Sequence, residues 1–250
     1  MSDLIIGRNA CMEALKAGRS IRRITVLKSR DGRAAEGSLK KILAMAKDQG
    51  VQIQYRDRSD LDKMSGGAVH QGVIAQAEEY VYASVEDMLE YARSLGQAPL
   101  LILLDGVEDP HNLGAIMRTA ECAGAHGIII PKRRAAAVTE TVLKTSAGAA
   151  EHIRCAQVTN LIRAIGELKE QGIWVYGCDM GETSCWDTDL TGPAAIVIGN
   201  EGKGVSRLVR ENCDFIVSIP MFGQVGSLNA SNAAAVGIYE AIRQRQAGRG

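Results

Sequence analysis

The sequence predicts an α/β protein whose larger part is built on a mostly parallel sheet. Residues 100–105 read LLILLD, a continuous apolar run typical of a strand that is buried on both faces. After this run, strand-like and helical segments alternate along the chain, an order that favours parallel strands with helices on both faces. At 250 residues, the chain can form one large domain or two small ones.

The first 77 residues are predicted to form a smaller α/β unit. Hydrophobic periodicity predicts three helices, at Asn9–Ala17, Ser38–Gln49 and Asp60–Met64. Three strands are predicted at Ile21–Leu27, Val51–Tyr55 and Gly72–Ala77. Residues 78–97 are acidic, contain one helical run at Val85–Leu95, and are interpreted as a linker to a second domain at residues 98–250.

Five strands and five helices are predicted in the second domain. The strands are Leu100–Leu104, Gly127–Ile130, Ile173–Tyr176, Ala194–Ile198 and Phe215–Ile219. The helices are Leu113–Ala123, Thr139–Ser146, Leu161–Gln171, Ser206–Glu211 and Asn229–Arg245. Three strand-like runs end in Gly/Asn-rich turns, within segments that begin at Asp105, Ile198 and Ile219. Because the carboxyl ends of parallel strands converge, these turns are predicted to form one composite pocket.

Composition limits the classes of function. Formal net charge is zero and aromatic residues make up 4% of the chain, which argues against a single-strand binder that stacks bases on aromatic side chains. Residues 1–34 nevertheless hold eight basic residues against three acidic ones. Further basic groups lie at residues 132–134 and at Arg243, Arg245 and Arg249. Each group is either solvated surface or a contact for RNA, and composition does not choose between them.

The six cysteines are scattered and form no CxxC pair, and no histidine lies at metal-ligand spacing from them. Cys122 and Cys213 are therefore expected to be buried free thiols. The sequence contains neither a signal-peptide pattern nor a long apolar run. We expect a cytoplasmic protein with no metal and no membrane partner.

Several common catalytic patterns are missing. The chain contains no GxGxxG dinucleotide fingerprint, no phosphate-binding GxxxxGK[ST] loop and no GxSxG nucleophile elbow. Its four histidines are dispersed, and we expect surface or packing roles for them, with His111 kept as the one catalytic candidate because it lies in the first turn segment. A nucleotide-dependent oxidoreductase and a serine hydrolase are therefore disfavoured.

The polar residues of the three turns leave several roles open. Asn112 either caps the following helix or takes part in a site, and Arg118 either pairs with Glu121 three residues later or faces a phosphate or a reacting hydroxyl. Glu201 either holds its Gly-rich turn through backbone amides or bonds a ligand. Capping accounts for one or two of the polar residues that precede the last helix, namely Ser227, Asn229, Ser231 and Asn232.

Taken together, these segments resemble a known family. The pattern N-x-G-x-x-x-R at residues 112–118, the IGNEGKG of residues 198–204 and the IPM…GSLNAS of residues 219–231 look like the three signature motifs of the SpoU (TrmH-type) RNA ribose 2′-O-methyltransferases. The opening IGRNACMEAL and the HQGVIAQ of residues 70–76 are similar to the small substrate-binding domain of the branch that methylates guanosine in bacterial 23S ribosomal RNA.

The resemblance implies a fold, a cofactor and a set of site residues. It implies a SPOUT-type catalytic domain with a C-terminal trefoil knot, an N-terminal domain like ribosomal protein L30e, and a homodimer. S-adenosylmethionine is the implied cofactor, held by a group of residues that comprises Ile198, Gly199, Asn200, Ile219, Met221 and Leu228. The implied catalytic residues are Asn112, Arg118, Glu201, Ser227 and Asn229.

The implied reaction is transfer of a methyl group to a ribose 2′-hydroxyl of a guanosine in 23S ribosomal RNA. Because an arginine stays protonated at neutral pH, Arg118 is expected to bind an RNA phosphate and stabilise a developing alkoxide as well as, or in place of, acting as a base. The alternatives within this chemistry are transfer RNA or another ribosomal nucleotide. A non-catalytic RNA-binding or ribosome-assembly factor is the alternative from a different class.

Overall fold

The structure is a computed structural model that describes residues 4–16, 18–28, 37–77 and 80–247. The side chains of Glu140 and Glu182 are excluded from the description. Four of the charged residues counted in residues 1–34 lie outside these ranges, namely Asp3, Arg30, Asp31 and Arg33. So do Ala17 of the first predicted helix, Glu78 of the predicted linker, and Arg249. The chain divides into two compact units, residues 1–80 and residues 81–250.

The first unit is a four-stranded sheet with two of its helices packed on one face. Its elements are β1 (Leu4–Ile6), α1 (Arg8–Lys16), β2 (Ile21–Leu27), α2 (Gly37–Asp48), β3 (Gln52–Arg56), α3 (Arg58–Met64) and β4 (Val73–Ala77). The strand order is β1-β4-β2-β3, in which β2 and β3 are parallel and the other pairs are antiparallel. Apolar side chains of β2 and β4 pack against α1 and α2, because alternate strand residues point to the same side.

The second unit contains six parallel strands in the order β10-β8-β9-β5-β6-β7. The strands are β5 (Leu100–Leu104), β6 (Gly127–Pro131), β7 (Cys155–Val158), β8 (Trp174–Ser184), β9 (Ala194–Ile198) and β10 (Phe215–Ser218). The helices are α4 (Val85–Ser94), α5 (Pro110–Cys122), α6 (Glu140–Thr145), α7 (Leu161–Glu170), α8 (Arg207–Asn212) and α9 (Ala230–Ala247), with a short 3₁₀ helix at Ala149–Glu151. All residues of β5 and β9 are buried. The prediction of an α/β protein with a mostly parallel sheet is confirmed.

The sequence was interpreted as placing residues 85–94 in a linker. In the structure they belong to the second unit. In α4, Ser84 and Asp87 form a reciprocal capping box, with Asp87 N donating to Ser84 Oγ at 3.1 Å and Ser84 N donating to Asp87 Oδ2 at 2.7 Å. Met88 and Leu89 are buried in the same apolar cluster as the central strands. The acidic exposed face of this helix gave its segment the composition of a linker.

Other boundaries also differ from the predictions. β1 and β7 were not predicted, because they are only 3 and 4 residues long and too short to show a period. α5 begins three residues earlier than expected, since Asp109 is its N-cap and Pro110 occupies the first helical position. Asn112 is therefore inside the helix and does not cap it. Cys122 is exposed and not buried as predicted, whereas Cys213 is half-buried.

Arg245 closes the amino-terminal edge of the large sheet. Its guanidinium donates to the carbonyl oxygens of Ala98 at 2.8 Å, Pro99 at 2.9 Å and Gly192 at 2.5 Å. Arg243 donates to both oxygens of Glu240, at 2.7 and 2.9 Å, and this pairing lowers the pKa of the Glu240 carboxyl. Both described members of the basic group predicted at this end of the chain are thus engaged within the unit. Arg245 cross-links α9 to its surroundings, and Arg243 pairs within α9 itself.

Candidate active site

The three turns meet where the connections of the large sheet change direction. β5 and β9 are neighbours, but the chain leaves β5 towards β6 on one side and leaves β9 towards β10 on the other. Ligands of open α/β sheets bind at the carboxyl ends of the strands beside such a point. Two contacts join the turns there: Ser206 N donates to Asp105 Oδ2 at 2.7 Å, and Asn200 Nδ2 donates to the carbonyl oxygen of Gly106 at 2.9 Å.

The turn at residues 199–204 is held by Asn200. The Oδ1 atom of Asn200 accepts from the backbone amides of Gly202 at 3.0 Å and Lys203 at 3.3 Å. Its backbone exchanges two hydrogen bonds with Gly204, at 3.0 and 2.8 Å. Asn200 therefore stabilises this turn, a role that the sequence left open for Glu201. The Glu201 side chain is instead bonded by Asn112.

Gly199 is required by close approach of the backbone. A β-carbon at this position would lie 2.1 Å from the carbonyl carbon of Gly204 and 2.3 Å from Val205 N. We expect Gly199→Ala to force the turn open and lower the free energy of unfolding by about 2–4 kcal/mol, in the range of severe steric overlap. Gly202→Ala is the matched control in the same turn, because its β-carbon would meet only Asn200 Oδ1, at 3.7 Å. Urea unfolding of the two variants measures the difference; equal stabilities would contradict this role of Gly199.

Asn112 links the three turns directly. It is buried in α5, and its Nδ2 atom donates to Glu201 Oε1 while its Oδ1 atom accepts from Asn229 Nδ2 at 3.0 Å. One carboxamide thus bonds the second turn with its donor and the third with its acceptor. This one side chain holds Glu201 and Asn229 relative to each other, although they follow Asn112 by 89 and 117 positions in the chain.

Asn229 serves two contacts at the beginning of α9. Its Oδ1 atom accepts from the backbone amide of Ser231 at 2.9 Å and from Ser231 Oγ at 2.6 Å. This is the capping role that the sequence favours for one of the polar residues here. Its Nδ2 atom remains available for Asn112, so capping and linkage use different ends of one amide.

Residues 219–228, which precede Asn229, form an exposed loop with free backbone groups. Although the structure describes all ten residues, none of them makes a hydrogen bond with the described chain. Apolar side chains are exposed along the loop, with Met221 at 38% and Val225 at 75%. Phe222 is 87% exposed and stacks on Trp186 at a centroid distance of 6.2 Å. The loop offers backbone donors and acceptors beside apolar surface, the combination that binds an organic ligand with a polar ring.

Arg118 lies apart from this hydrogen-bonded group. It follows Asn112 by six residues, which is about 9 Å along a helix, and its side chain is exposed. Arg118 and Glu121 are both described, and they do not form the ion pair that the sequence analysis considered. Neither does any other described residue bond the Arg118 guanidinium. An exposed cation without a carboxylate partner is available to an anion from outside the chain.

The remaining candidates take varied positions. Ser227 is exposed, Ile219 and Leu228 are half-buried, and Ile198 is buried at the end of β9. His111 is exposed in the first turn of α5, where its Nδ1 lies 3.4 Å from Thr145 Oγ1, and it does not contact the Asn112 group. No cluster of metal-binding side chains occurs among the described residues. None of the described helices is long and apolar enough to cross a bilayer.

Two family models match the chain over separate segments. The model for the SpoU rRNA methylase family matches residues 99–239, which include all three turns, and the model for RNA 2′-O ribose methyltransferase substrate binding matches residues 4–83. A Bacillus subtilis (strain 168) protein whose name assigns it to the TrmH family of tRNA/rRNA methyltransferases is 48% identical over 97% of this chain and 96% of its own length.

The chain belongs to the SpoU rRNA methylase family. The predictions of this family and of a methyltransferase are confirmed. A Staphylococcus haemolyticus protein with a name of the same TrmH type is 43% identical over 98% of this chain and 97% of its own length. Among solved structures, the SpoU methyltransferase AviRb from Streptomyces viridochromogenes, in complex with the cofactor AdoMet, has a TM-score of 0.65 and 26% identity, covering 98% of this chain and 91% of that one.

Two residues that support the turn at residues 199–204 were not predicted from the sequence. Asp179 accepts from Arg210 Nη1 at 2.9 Å, and Arg210 Nη2 donates to the carbonyl oxygen of Met180 at 3.0 Å. The Asp179 carboxylate packs on Gly204, where a β-carbon would lie 2.7 Å from its Oδ1. The pairing register between β8 and β10 shifts here, since Gly177 pairs with Ile216 but Thr183 pairs with Val217. An irregular strand has no signal in a single sequence, so this support of the Gly199–Gly204 turn was not predictable.

Proposed function

We propose that this protein transfers a methyl group from S-adenosylmethionine to the ribose 2′-hydroxyl of a guanosine in 23S ribosomal RNA. The observation that carries the proposal is the linkage of the three family motifs through Asn112, which bonds Glu201 and Asn229 at the carboxyl ends of the strands. The matches to family models for rRNA methylation and for RNA 2′-O ribose methyltransferase substrate binding support it.

S-adenosylmethionine supplies a methyl group on a sulfonium, a leaving group that needs little assistance. The residues proposed to hold it are Ile198, Gly199, Asn200, Ile219, Met221 and Leu228. The structure fits this assignment, because the loop at residues 219–228 has unbonded backbone amides and carbonyls next to exposed apolar side chains. The turn that contains Gly199 is linked to the end of this loop through Asn112, which bonds Glu201 and Asn229.

The remaining site residues position the ribose and manage one proton. We assign Arg118 to an RNA phosphate adjacent to the reacting ribose, because its guanidinium is exposed, has no partner in the described chain and stays protonated. The same cation stabilises negative charge that develops on the 2′-oxygen. Asn112, Glu201, Ser227 and Asn229 complete the site, with Glu201 held in place by Asn112. Their main contribution is orientation, which accounts for several kcal/mol in a reaction between two bound partners.

A homodimer with a C-terminal trefoil knot is part of the proposal. α9 packs back on α5 and β9 after the loop at residues 219–228, and Asn229 bonds Asn112 across this packing. Tyr239 on α9 is 49% exposed, which leaves an aromatic side chain of this helix for a second copy. Light scattering on the purified chain tests the dimer, and a monomer at micromolar concentration would refute it.

Removal of residues 1–77 is expected to abolish RNA affinity but not cofactor affinity. The remaining chain keeps residues 80–97, of which Ala83 donates to Cys155 and α4 belongs to the second core. Calorimetry with S-adenosylmethionine and a filter-binding assay with ribosomal RNA measure the two affinities. We expect the first within about 3-fold of the full chain and the second at least 100-fold weaker, since most of an RNA interface is electrostatic and shape-dependent. RNA binding at full strength would contradict the assignment.

Comparison of RNA substrates tests the substrate class. The full chain is incubated with radiolabelled S-adenosylmethionine and, separately, with naked 23S, 16S and transfer RNA. The proposal expects incorporation into 23S RNA near one methyl group per molecule and less than a tenth of that into the others. Preferred labelling of transfer RNA would establish the alternative substrate, which the tRNA/rRNA names of the relatives leave open. Cofactor binding without transfer to any RNA would favour a non-catalytic factor.

A further inference from the structure

The strands of the first unit carry an unusual set of charges. β1, β2, β3 and β4 together contain three charged residues, and all three are arginines, namely Arg22, Arg23 and Arg56. No strand residue is acidic. Protein surfaces usually carry acidic and basic side chains together. A sheet whose charged side chains are all arginines therefore has a positive electrostatic potential wherever these arginines are exposed together.

Two of these arginines lie on the sheet face opposite α1 and α2, where Thr25 and Ile74 are buried but Gln52 and Arg56 of the edge strand β3 are exposed. Ile24, Val26 and Ile53 belong to the apolar cluster under these helices. Strand residues alternate between faces, so Arg23, Gln52, Gln54 and Arg56 point to the opposite side. The register pairs Arg23 with Gln52 and Leu27 with Arg56, which places these four polar side chains along two adjacent strands. We refer to Arg23, Gln52, Gln54 and Arg56 as the Arg–Gln strip.

The arginines of the strip are oriented by neutral groups and not by carboxylates. Arg23 Nε donates to Gln52 Oε1 at 3.1 Å, and Arg23 Nη1 lies 3.4 Å from Gln54 Oε1. If the side-chain amide of Gln54 is rotated so that its oxygen and nitrogen exchange places, the oxygen instead accepts from Arg56 Nη2 at 2.8 Å. Neither arginine forms an ion pair with any residue that the structure describes. Among the described residues, the guanidinium groups are therefore held in place by neutral side chains, with no carboxylate paired to them.

The helix that follows the strip does not neutralise it. α3 begins two residues after Arg56 and contains Asp60 and Asp62. Asp62 accepts from His70 Nε2 at 2.9 Å and lies 4.0 Å from Arg58 Nε. Its contacts are with neighbours on its own segment, and neither aspartate reaches the strip.

We propose that the Arg–Gln strip is the surface on which the first unit binds the RNA sugar-phosphate backbone. This inference rests on the proposed function, because it takes RNA as the substrate. From Gln52 to Arg56 the strip extends about 13 Å along the strand, enough for more than one nucleotide. Guanidinium groups bind phosphate oxygens through two parallel hydrogen bonds, and glutamine amides bond phosphate or 2′-hydroxyl groups. An acidic protein surface is the competing partner, and the test separates the two.

The test is RNA affinity of the full-length double variant Arg23→Ala/Arg56→Ala. Binding to a fluorescently labelled 23S RNA fragment is measured by anisotropy at several salt concentrations without S-adenosylmethionine, so that no reaction is required. The matched control is Arg93→Ala/Arg163→Ala, which removes the same charge from two exposed arginines that pair with Glu86 and Glu167 in the second unit. Circular dichroism and cofactor affinity check that each variant is folded.

The strip variant is expected to bind RNA at least 10-fold more weakly, with the slope of log affinity against log salt reduced by about 2, one for each lost phosphate contact. The control is expected to stay within 2-fold of the wild type. The Arg23→Lys/Arg56→Lys pair, which keeps both charges, is expected to recover most of the salt slope. Should the alanines unfold the sheet, the Arg23→Gln/Arg56→Gln pair gives the same readout on a polar strand surface.

Unchanged RNA affinity, or reduced affinity with an unchanged salt slope, would overturn the assignment and leave the strip to a protein partner or to a structural role. The outcome is independent of the catalytic proposal. Wild-type chain that binds RNA through the strip but transfers no methyl group would refute the proposed function alone. A strip variant that binds and methylates RNA normally would refute this inference alone.

Discussion

Arg118→Ala is expected to reduce methyl transfer by at least 100-fold while leaving the affinity for S-adenosylmethionine within about 3-fold of the wild type. Loss of one preorganised donor that stabilises a developing oxyanion costs about 2.7–4 kcal/mol of transition-state stabilisation. Because the Arg118 side chain is exposed and unbonded in the described chain, its removal should change the free energy of unfolding by less than about 0.5 kcal/mol. Single-turnover methylation and calorimetry measure the two effects.

Two variants accompany this measurement. Arg118→Lys keeps the charge but loses the planar fork, so we expect an intermediate rate. Arg163→Ala is the control, since this arginine is also exposed on a helix and its ion pair among the described residues is with Glu167, at 2.8 Å. An Arg118→Ala enzyme that retained more than about a tenth of the wild-type rate would show that Arg118 does not have the assigned role.

Asn112→Asp is expected to impair both the site and the fold. The substitution replaces the donor that bonds Glu201 by an oxygen, so two carboxylates would face each other at hydrogen-bond distance. We expect the free energy of unfolding to fall by about 1–3 kcal/mol, the cost of a disrupted buried hydrogen bond, and methyl transfer to fall at least 100-fold. The unfolding midpoint and the transfer rate are measured on the same preparation.

The pH dependence separates this mechanism from a general loss of packing. If repulsion between the two carboxylates is the cause, lowering the pH should restore part of the stability of Asn112→Asp relative to the wild type, because protonation of either group removes the repulsion. Asn112→Ala should show no such recovery. Asn160→Asp is the control, since Asn160 caps α7 through its Oδ1, at 3.1 Å from Arg163 N, and aspartate caps equally well. An Asn112→Asp variant as stable and active as this control would contradict the linking role.

Much of the large sheet was predictable because its strands are continuous apolar runs. The LLILL of β5 and the AAIVI of β9 are apolar throughout, so both faces of each strand must be buried. Because strands alternate with helices along the chain, few topologies of the sheet satisfy this requirement. The short edge strand β7 has no comparable pattern, and α4 has a polar face that resembles a linker. In both cases, tertiary packing supplies the stability that the local sequence does not show.

The residues of the proposed site come from the family resemblance, whereas their connections were not predicted. From the residues alone, Asn112, Glu201 and Asn229 each had a local alternative, such as capping a helix or holding a turn. Only the fold shows that Asn112 bonds the other two, that Asn200 holds the turn in place of Glu201, and that Arg118 has no ion pair with Glu121. The two contacts of Asn112 join residues 89 and 117 positions apart, and a single sequence has no signal at that separation.

The most direct test of the central claim is the chemical position of the transferred methyl group. The full chain is incubated with radiolabelled S-adenosylmethionine and 23S RNA, and the product is hydrolysed with alkali, which requires a free 2′-hydroxyl to cleave the chain. The account predicts that the label appears in one alkali-resistant dinucleotide that contains 2′-O-methylguanosine, and that Arg118→Ala yields none. Label in ordinary mononucleotides, which places the methyl group on a base, would contradict the account.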